Sequence, residues 1–322
     1  MTFLSAACSV DALLSAVQME RRVAAILAKP WADRSSEAPG DDAKFLRRYL
    51  ERVPDGDWRL EVYERLIKMA ASMRQYADLS ALLDGLYREF IISSQAGQTA
   101  AYQACDLYLR HSLGNANRWE VWNRMLQICL QREVDRELGV RILEAMAEEF
   151  VDDSARLRMV LLHQAEEEEK LQRLTEAAGT LGRLLALPDT SGGEIAEYSS
   201  RLGNVRFLQR DFPAAEAALK ACVERLLPGL TAIRCLHELG ALYRVQEKLE
   251  EAEETMQRVL DIPGISEEVR GRVVFELADV EYQFGRYDEA RRLFESIRTA
   301  YPNPLVIEVR LRMLEDRQKK KD

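Results

Sequence analysis

Glycine and proline are scarce in this chain, 16 and 9 in 322 residues. That is too little punctuation for many tight turns, and long helices are the simplest structure needing so little. The same scarcity excludes collagenous, low-complexity and wholly disordered readings. There are only three histidines, and the five cysteines contain no C-x-x-C pair, so zinc-ribbon and thioredoxin-like chemistry have no support. No G-x-S-x-G, G-x-x-x-x-G-K-S/T or G-x-G-x-x-G string occurs, and His237-Glu238 opens an H-E-x-x-H pattern that ends in Ala241. Long apolar runs are missing too. The longest uncharged stretch, Phe90 to Cys105, is sixteen residues and contains Ser93, Ser94, Gln95, Gln98, Thr99 and Gln103, too short and too polar to cross a bilayer. Positive charge is in deficit, 45 Lys+Arg against 54 Asp+Glu for a net −9, which repels a phosphate backbone. Nucleic acid is not an expected partner.

What is present is helical periodicity. Hydrophobic residues make up 47% of the chain and recur at i, i+3, i+4, i+7 in segments separated by short polar breaks, with no sustained alternation of period two. The expectation is an all-α protein of about 15 to 16 helices, among them 3–28, 76–91, 171–187, 193–209, 212–226, 249–262, 287–300 and 303–319. Turn chemistry marks the breaks at Pro54-Asp55-Gly56, Gly114-Asn115, Pro188 to Gly193, Pro228-Gly229, Pro263-Gly264 and Pro302-Asn303-Pro304. Lys29 to Asp42 reads as a longer flexible loop.

The C-terminal third repeats itself. Asp211-Phe212-Pro213-Ala214-Ala215, Lys248-Leu249-Glu250-Glu251-Ala252 and Arg286-Tyr287-Asp288-Glu289-Ala290 place their last alanines 37 and 38 residues apart. Each is preceded by an apolar-small pair, Leu202-Gly203, Leu239-Gly240 or Leu277-Ala278, and followed by a large residue, Leu219, Met256 or Phe294. Two helices crossing closely need a side chain no larger than a methyl at the contact, with bulk around it. The pattern over 196–302 resembles the tetratricopeptide repeat, although the first-helix Trp is replaced by Ser199, Leu236 and Val274. The N-terminal half carries only echoes, at Tyr76, Val134 and Leu171. Four segments follow: an N-terminal helix and loop (1–43), degenerate helical repeats (44–189), three repeats (190–302), and a capping helix with a basic tail (303–322). The resemblance implies an α-α superhelix of antiparallel helix pairs.

Candidate chemistry is thin. His111 and His163 are isolated, and acid runs such as Glu166 to Glu169 read as solvated helix faces. Trp119 and Trp122, three apart, fit packing better than a ligand anchor. No catalytic residue, cofactor or metal is expected. The resemblance implies instead that first-helix side chains line a concave groove: Glu197, Ser200, Asn204 and Phe207; Arg234, His237, Ala241 and Arg244; Arg272, Phe275, Asp279 and Tyr282. The three arginines suit partner carboxylates, and the aromatics offer rigid contact area. Ser200 stands where the family's carboxylate clamp has lysine, which argues against chaperone-tail recognition.

The expected function is therefore a non-enzymatic scaffold or adaptor holding a peptide or helical segment of another protein, with acidic residues favoured. Two alternatives differ in context. Leu4 to Cys8 is similar to the end of a bacterial lipoprotein signal but lacks the basic region and long apolar core. It is either the start of an amphipathic helix in a cytoplasmic protein or the lipidation site at Cys8 of a periplasmic one serving envelope assembly or secretion. Alternatively the chain is a regulatory subunit whose catalysis lies in another protein. The remaining cysteines pair by position: the midpoint of 105 and 129 is 117, and that of 222 and 235 falls on Pro228-Gly229. Each midpoint lies at a turn, so Cys105–Cys129 and Cys222–Cys235 sit at similar heights on antiparallel helices. Disulfides there, or buried thiols, are the two outcomes.

Overall fold

A computed structural model of the chain describes residues 14–29, 40–90, 95–112, 117–131, 135–224, 230–299 and 301–318. Among the described residues there are sixteen α-helices and no strand. They are α1 (Ala16–Leu27), α2 (Gly40–Arg52), α3 (Arg59–Ser72), α4 (Tyr76–Phe90), α5 (Gln95–His111), α6 (Arg118–Gln131), α7 (Arg136–Glu149) and α8 (Ser154–Lys170). There follow α9 (Leu174–Ala186), α10 (Gly192–Leu208), α11 (Phe212–Glu224), α12 (Leu230–Val245), α13 (Leu249–Leu260), α14 (Glu267–Gln283), α15 (Tyr287–Ser296) and α16 (Pro304–Gln318). Cys8, Gly114-Asn115, Val134, Pro228-Gly229, the terminal lysines and most of the expected loop after Lys29 lie outside the described residues. The helices group into two compact units, Met1–Ile142 and Leu143–Asp322.

In the second unit each helix packs on the next from α8 to α16, and α10, α12 and α14 also touch in succession. One turn recurs within it. After α8, α10, α12 and α14 the N–H of Arg173, Asp211, Lys248 and Arg286 donates to the carbonyl five residues back, at Glu168 (2.8 Å), Arg206 (3.0 Å), Tyr243 (2.9 Å) and Glu281 (3.0 Å). The residue before each donor is left-handed: Gln172 (φ 58°), Arg210 (61°), Glu247 (60°) and Gly285 (77°). This is a Schellman C-terminus, repeated at intervals of 38, 37 and 38 residues.

The turns reveal a fourth pair, α8–α9, in register with the other three. The true counterpart of Phe212, Leu249 and Tyr287 is Leu174. Leu171, which the sequence pattern aligns with them, caps α8 instead, so α9 starts three residues later than expected. The close crossings are as the repeat requires. A Cβ on Gly203 would stand 2.6 Å from Leu219 Cγ, and one on Gly240 3.1 Å from Met256 Cγ. Ala165 and Ala278 take the same place in the other pairs, and the second-helix alanines Ala177, Ala215, Ala252 and Ala290 are fully buried. Cys222 on α11 and Cys235 on α12 form a disulfide, with Cα atoms 6.1 Å apart.

Among the described residues the first unit uses the same turn once, with Arg74 at φ 56° and Gln75 N–H donating to Ala70 (2.9 Å) between α3 and α4. Elsewhere polar side chains close its helix ends. Buried Arg59 donates to the carbonyls of Leu50 and Val53, both at 2.7 Å, and forks onto Glu89 at 2.9 and 2.6 Å. One guanidinium thus ties the end of α2 to α4. Arg118 caps α5 in the same way through Leu109 O (2.5 Å). No disulfide joins Cys105 and Cys129; of the two outcomes open to this pair the structure has buried thiols. Burial pushes the Cys105 thiol up to about 12, so the reactive thiolate is suppressed and the side chain serves as a small hydrophobe.

Candidate functional site: the first-helix face of the C-terminal repeats

The helical period places Glu197, Ser200, Asn204 and Phe207 along α10, Arg234, His237, Ala241 and Arg244 along α12, and Arg272, Phe275, Asp279 and Tyr282 along α14. Capping fixes where two of these helices begin. Ser191 and Glu194 form a capping box on α10, and Ser266 accepts the Val269 N–H on α14. Glu194 is held down at about 2, first by its bond from Arg158 on α8 and then by Ser191.

Three of the candidate residues bond to one another, and several others bond to side chains of the neighbouring helices. Arg234 donates to Ser200 Oγ (3.1 Å) and to the Glu197 carboxylate, and Ser200, which is buried, donates to Glu238 (2.8 Å). His237 Nε2 meets Glu276 Oε1 at 3.0 Å. Asp279 accepts from Arg310 on α16 (3.0 Å), and Tyr282 Oη accepts from Arg317 (3.2 Å). Arg201 continues the series back to Glu169 on α8 (3.1 Å). The aromatics are likewise engaged. Phe275 lies 5.3 Å from Phe294 and stacks at 5.1 Å on Tyr301, while Phe207 lies 5.9 Å from Phe212.

This ladder changes the charge logic. The Glu276 bond raises the His237 pKa against the opposing effect of burial. Burial raises Glu238, countered by Ser200 and Arg234, and also raises Asp279, countered by Arg310 and Arg244. Among the described residues Arg272 has only an exposed ion-pair partner four residues away, Glu268 at 3.7 Å. Asn204 is exposed. Arg244 differs from Arg234: its Nε is buried and has no acceptor among the described residues.

Other singled-out residues fall as follows. His111 and His163 are exposed, and Trp119 and Trp122 are half-buried on α6. The acid run on α8 is not solvated throughout as expected, since Glu167 and Glu168 are buried. Glu167 pairs with Lys170 (2.6 Å) and Glu168 accepts from Gln164 (2.8 Å), so local partners permit burial that the charge pattern alone argues against. Among the described residues there is no group of metal-ligating side chains, and no helix is long and apolar enough to cross a membrane.

Residues 237–303 match the family model for the tetratricopeptide repeat, and the chain carries these repeats in its C-terminal part. No curated protein matches the sequence. Among solved structures the chain is similar to MamA from Desulfovibrio magneticus RS-1, with 21% identity, 56% of this chain and 92% of that one covered, and a TM-score of 0.45. It is also similar to a tetratricopeptide repeat protein from Parabacteroides merdae, with 13% identity, coverages of 74% and 88%, and a TM-score of 0.47. A third similar structure is BtubC from P. vanneervenii, with 16% identity, coverages of 72% and 94%, and a TM-score of 0.41. Tetratricopeptide repeats generally serve as protein-protein interaction scaffolds and are generally non-catalytic.

Proposed function

We propose that this chain is a non-enzymatic scaffold that takes an extended or helical segment of a partner protein along α10, α12 and α14. The supporting observation is Arg244, a cation on the first-helix face whose buried Nε lacks an acceptor. An unmet buried donor is costly, and a partner's carboxylate on the outer nitrogens of this half-buried guanidinium would offset part of that cost. Arg272, loosely held, and exposed Asn204 stand on the neighbouring helices. Arg234 is not among the partner contacts, because reversing it would break the bonds to Glu197 and Ser200 and would test stability instead. Arg244→Glu with Arg272→Glu is expected to lose partners that the wild type captures from its source organism, read by affinity purification and mass spectrometry. Unchanged capture by a normally folded variant would overturn the assignment.

A second reading, the lipid-anchored periplasmic protein, is favoured by the Cys222–Cys235 disulfide, since such bonds persist in oxidising compartments. Intact mass from the native host is expected to show cleavage before Cys8 with added acyl chains; an unprocessed mass removes this reading.

A further inference from the structure

Glutamate takes the same place in two of the four repeated pairs. Glu168 on α8 and Glu281 on α14 each stand five residues before the N–H donor that closes the recurring turn, and both are buried, at 1% and 3% exposed. An ionised carboxylate in such a place is costly unless it is paired. Glu281 is paired, since Arg286 donates to its two oxygens at 3.2 and 3.3 Å. Arg173 holds the place of Arg286 beside Glu168, yet among the described residues it bonds to Glu168 through its main-chain N–H alone.

Glu168 has an amide instead of a cation. Gln164, one turn earlier and 5% exposed, stands where α14 has Leu277, and its Nε2 donates to Glu168 Oε1 at 2.8 Å. Two acceptors are left over: Gln164 Oε1 and Glu168 Oε2 are buried, closed to water and without a donor among the described residues. A proton needs no room. Placed on Glu168 Oε2 it donates to Gln164 Oε1, and acid and amide then face each other through two bonds that use all four atoms. The surrounding charges favour this form. Burial pushes the Glu168 carboxyl up; the bonds from Gln164 and from the Thr180 hydroxyl on α9 oppose that, while the negative charges of Glu144 on α7 and Glu176 on α9 add to it. The cations next in line serve other acids, Lys170 pairing with Glu167 at 2.6 Å and Arg201 on α10 with Glu169 at 3.0 Å.

We propose that the folded protein holds a proton between Glu168 Oε2 and Gln164 Oε1, and that this acid–amide pair is a pH-operated latch on the α8–α9 pair. Ionisation returns the proton to water and breaks the bond it made. The anion left behind faces the lone pairs of Gln164 Oε1 and is repelled by Glu144 and Glu176, so α8 and α9 loosen. The contribution of the latch is complete below the ordinary glutamate value of 4.5 and is lost as pH rises through the higher folded value. The bond from Arg158 to Glu194, which ties α8 to α10, runs the other way and is already at full strength above 4.5, so in that range the two effects do not mix.

Hydrogen exchange of the full chain, corrected for the intrinsic effect of pH on amide exchange, tests this. In the wild type the opening constant of α8 and α9 is expected to rise about tenfold per pH unit above 4.5, until the folded carboxyl has titrated. Glu168→Gln presents an N–H where the acid has its O–H, so both bonds to Gln164 are kept: the variant should fold, and the rise in α8 and α9 should disappear. Infrared absorption reads the proton itself. Above pH 4.5 the wild type should show carboxylic-acid C=O absorption that Glu168→Gln lacks, a difference that a purely structural role for the side chain would not produce. Opening of α8 and α9 that is indifferent to pH in the wild type overturns the proposal without reference to any variant. So does a variant that keeps the rise, one that fails to fold, or acid absorption equal in the two proteins.

Discussion

Gly285 sits in open space, with nothing within 4 Å of where a Cβ would stand, yet its φ of 77° is left-handed. Backbone conformation alone is at stake there. Gly285→Ala is expected to cost about 1 kcal/mol in urea unfolding. Arg210, at φ 61° in the matching turn two repeat pairs earlier, bears the penalty that Gly285 avoids. Arg210→Gly should therefore be neutral or gain up to about 0.5 kcal/mol despite the added chain entropy. Opposite signs from two chemically opposite substitutions would identify the turn as the cause; a loss in both would refute it. Sequence alone hides this motif, because three of the four left-handed residues at this recurring turn are Gln172, Arg210 and Glu247. Only the last copy advertises its turn with glycine.

At the scale of the element, the linked first helices give stability a definite pH dependence. His237 has a folded pKa above its usual 6.5, so its contribution is complete below that value and is lost as pH rises through the folded pKa. Glu238 and Asp279 are also raised, chiefly by burial, so each favours folding more when protonated and opposes it as pH climbs above 4.5 and 3.8 respectively. Glu89, Glu194 and Glu216 are lowered and act the other way: their stabilisation is present above 4.5 and lost as pH falls. Stability is thus expected to peak in mildly acidic solution. Glu238→Gln should flatten the decline that sets in as pH rises above 4.5, in a series of melting curves. A decline equal to the wild type's would exclude Glu238 from it. The helices themselves were legible from apolar spacing, and the crossing residues Gly203, Gly240 and Ala278 from their recurrence. The α8–α9 pair was harder to align, because Leu171 imitates the apolar residue that opens a second helix while Leu174 fills that role. The place of the candidate residues along α10, α12 and α14 was readable as well, but not their bonds to the neighbouring helices. Whether Arg234 reaches outward or across to Glu197 depends on the separation of α10 and α12, which no local pattern encodes.

At the scale of the molecule, the chain is two packed units, and in the second each helix pair rests mainly on its neighbours. The Cys222–Cys235 bond reinforces one such junction by closing a loop of sequence separation 13 between α11 and α12. Replacing both cysteines with alanine is expected to cost about 3 kcal/mol in non-reducing urea unfolding, with no difference from the wild type once reductant is present. Equal stability without reductant would show that the bond does not form in solution. The two cysteine pairs looked alike in sequence, since both straddle a turn symmetrically, yet only one is bonded. Height along a helix can be counted from residue numbers, whereas burial of Cys105 and Cys129 as thiols depends on how the surrounding core closes over them.

That bond also bears on how the chain yields to tension. A stack of helix pairs pulled from its ends peels inward one pair at a time, each releasing its full contour. Between α11 and α12 the covalent link carries the load directly, and the thirteen residues it spans, about 45 Å of extended chain, are withheld from the extension. The protein behaves as a tether with a built-in knot: compliant on either side, inextensible across one junction, and shorter at full stretch than its residue count implies.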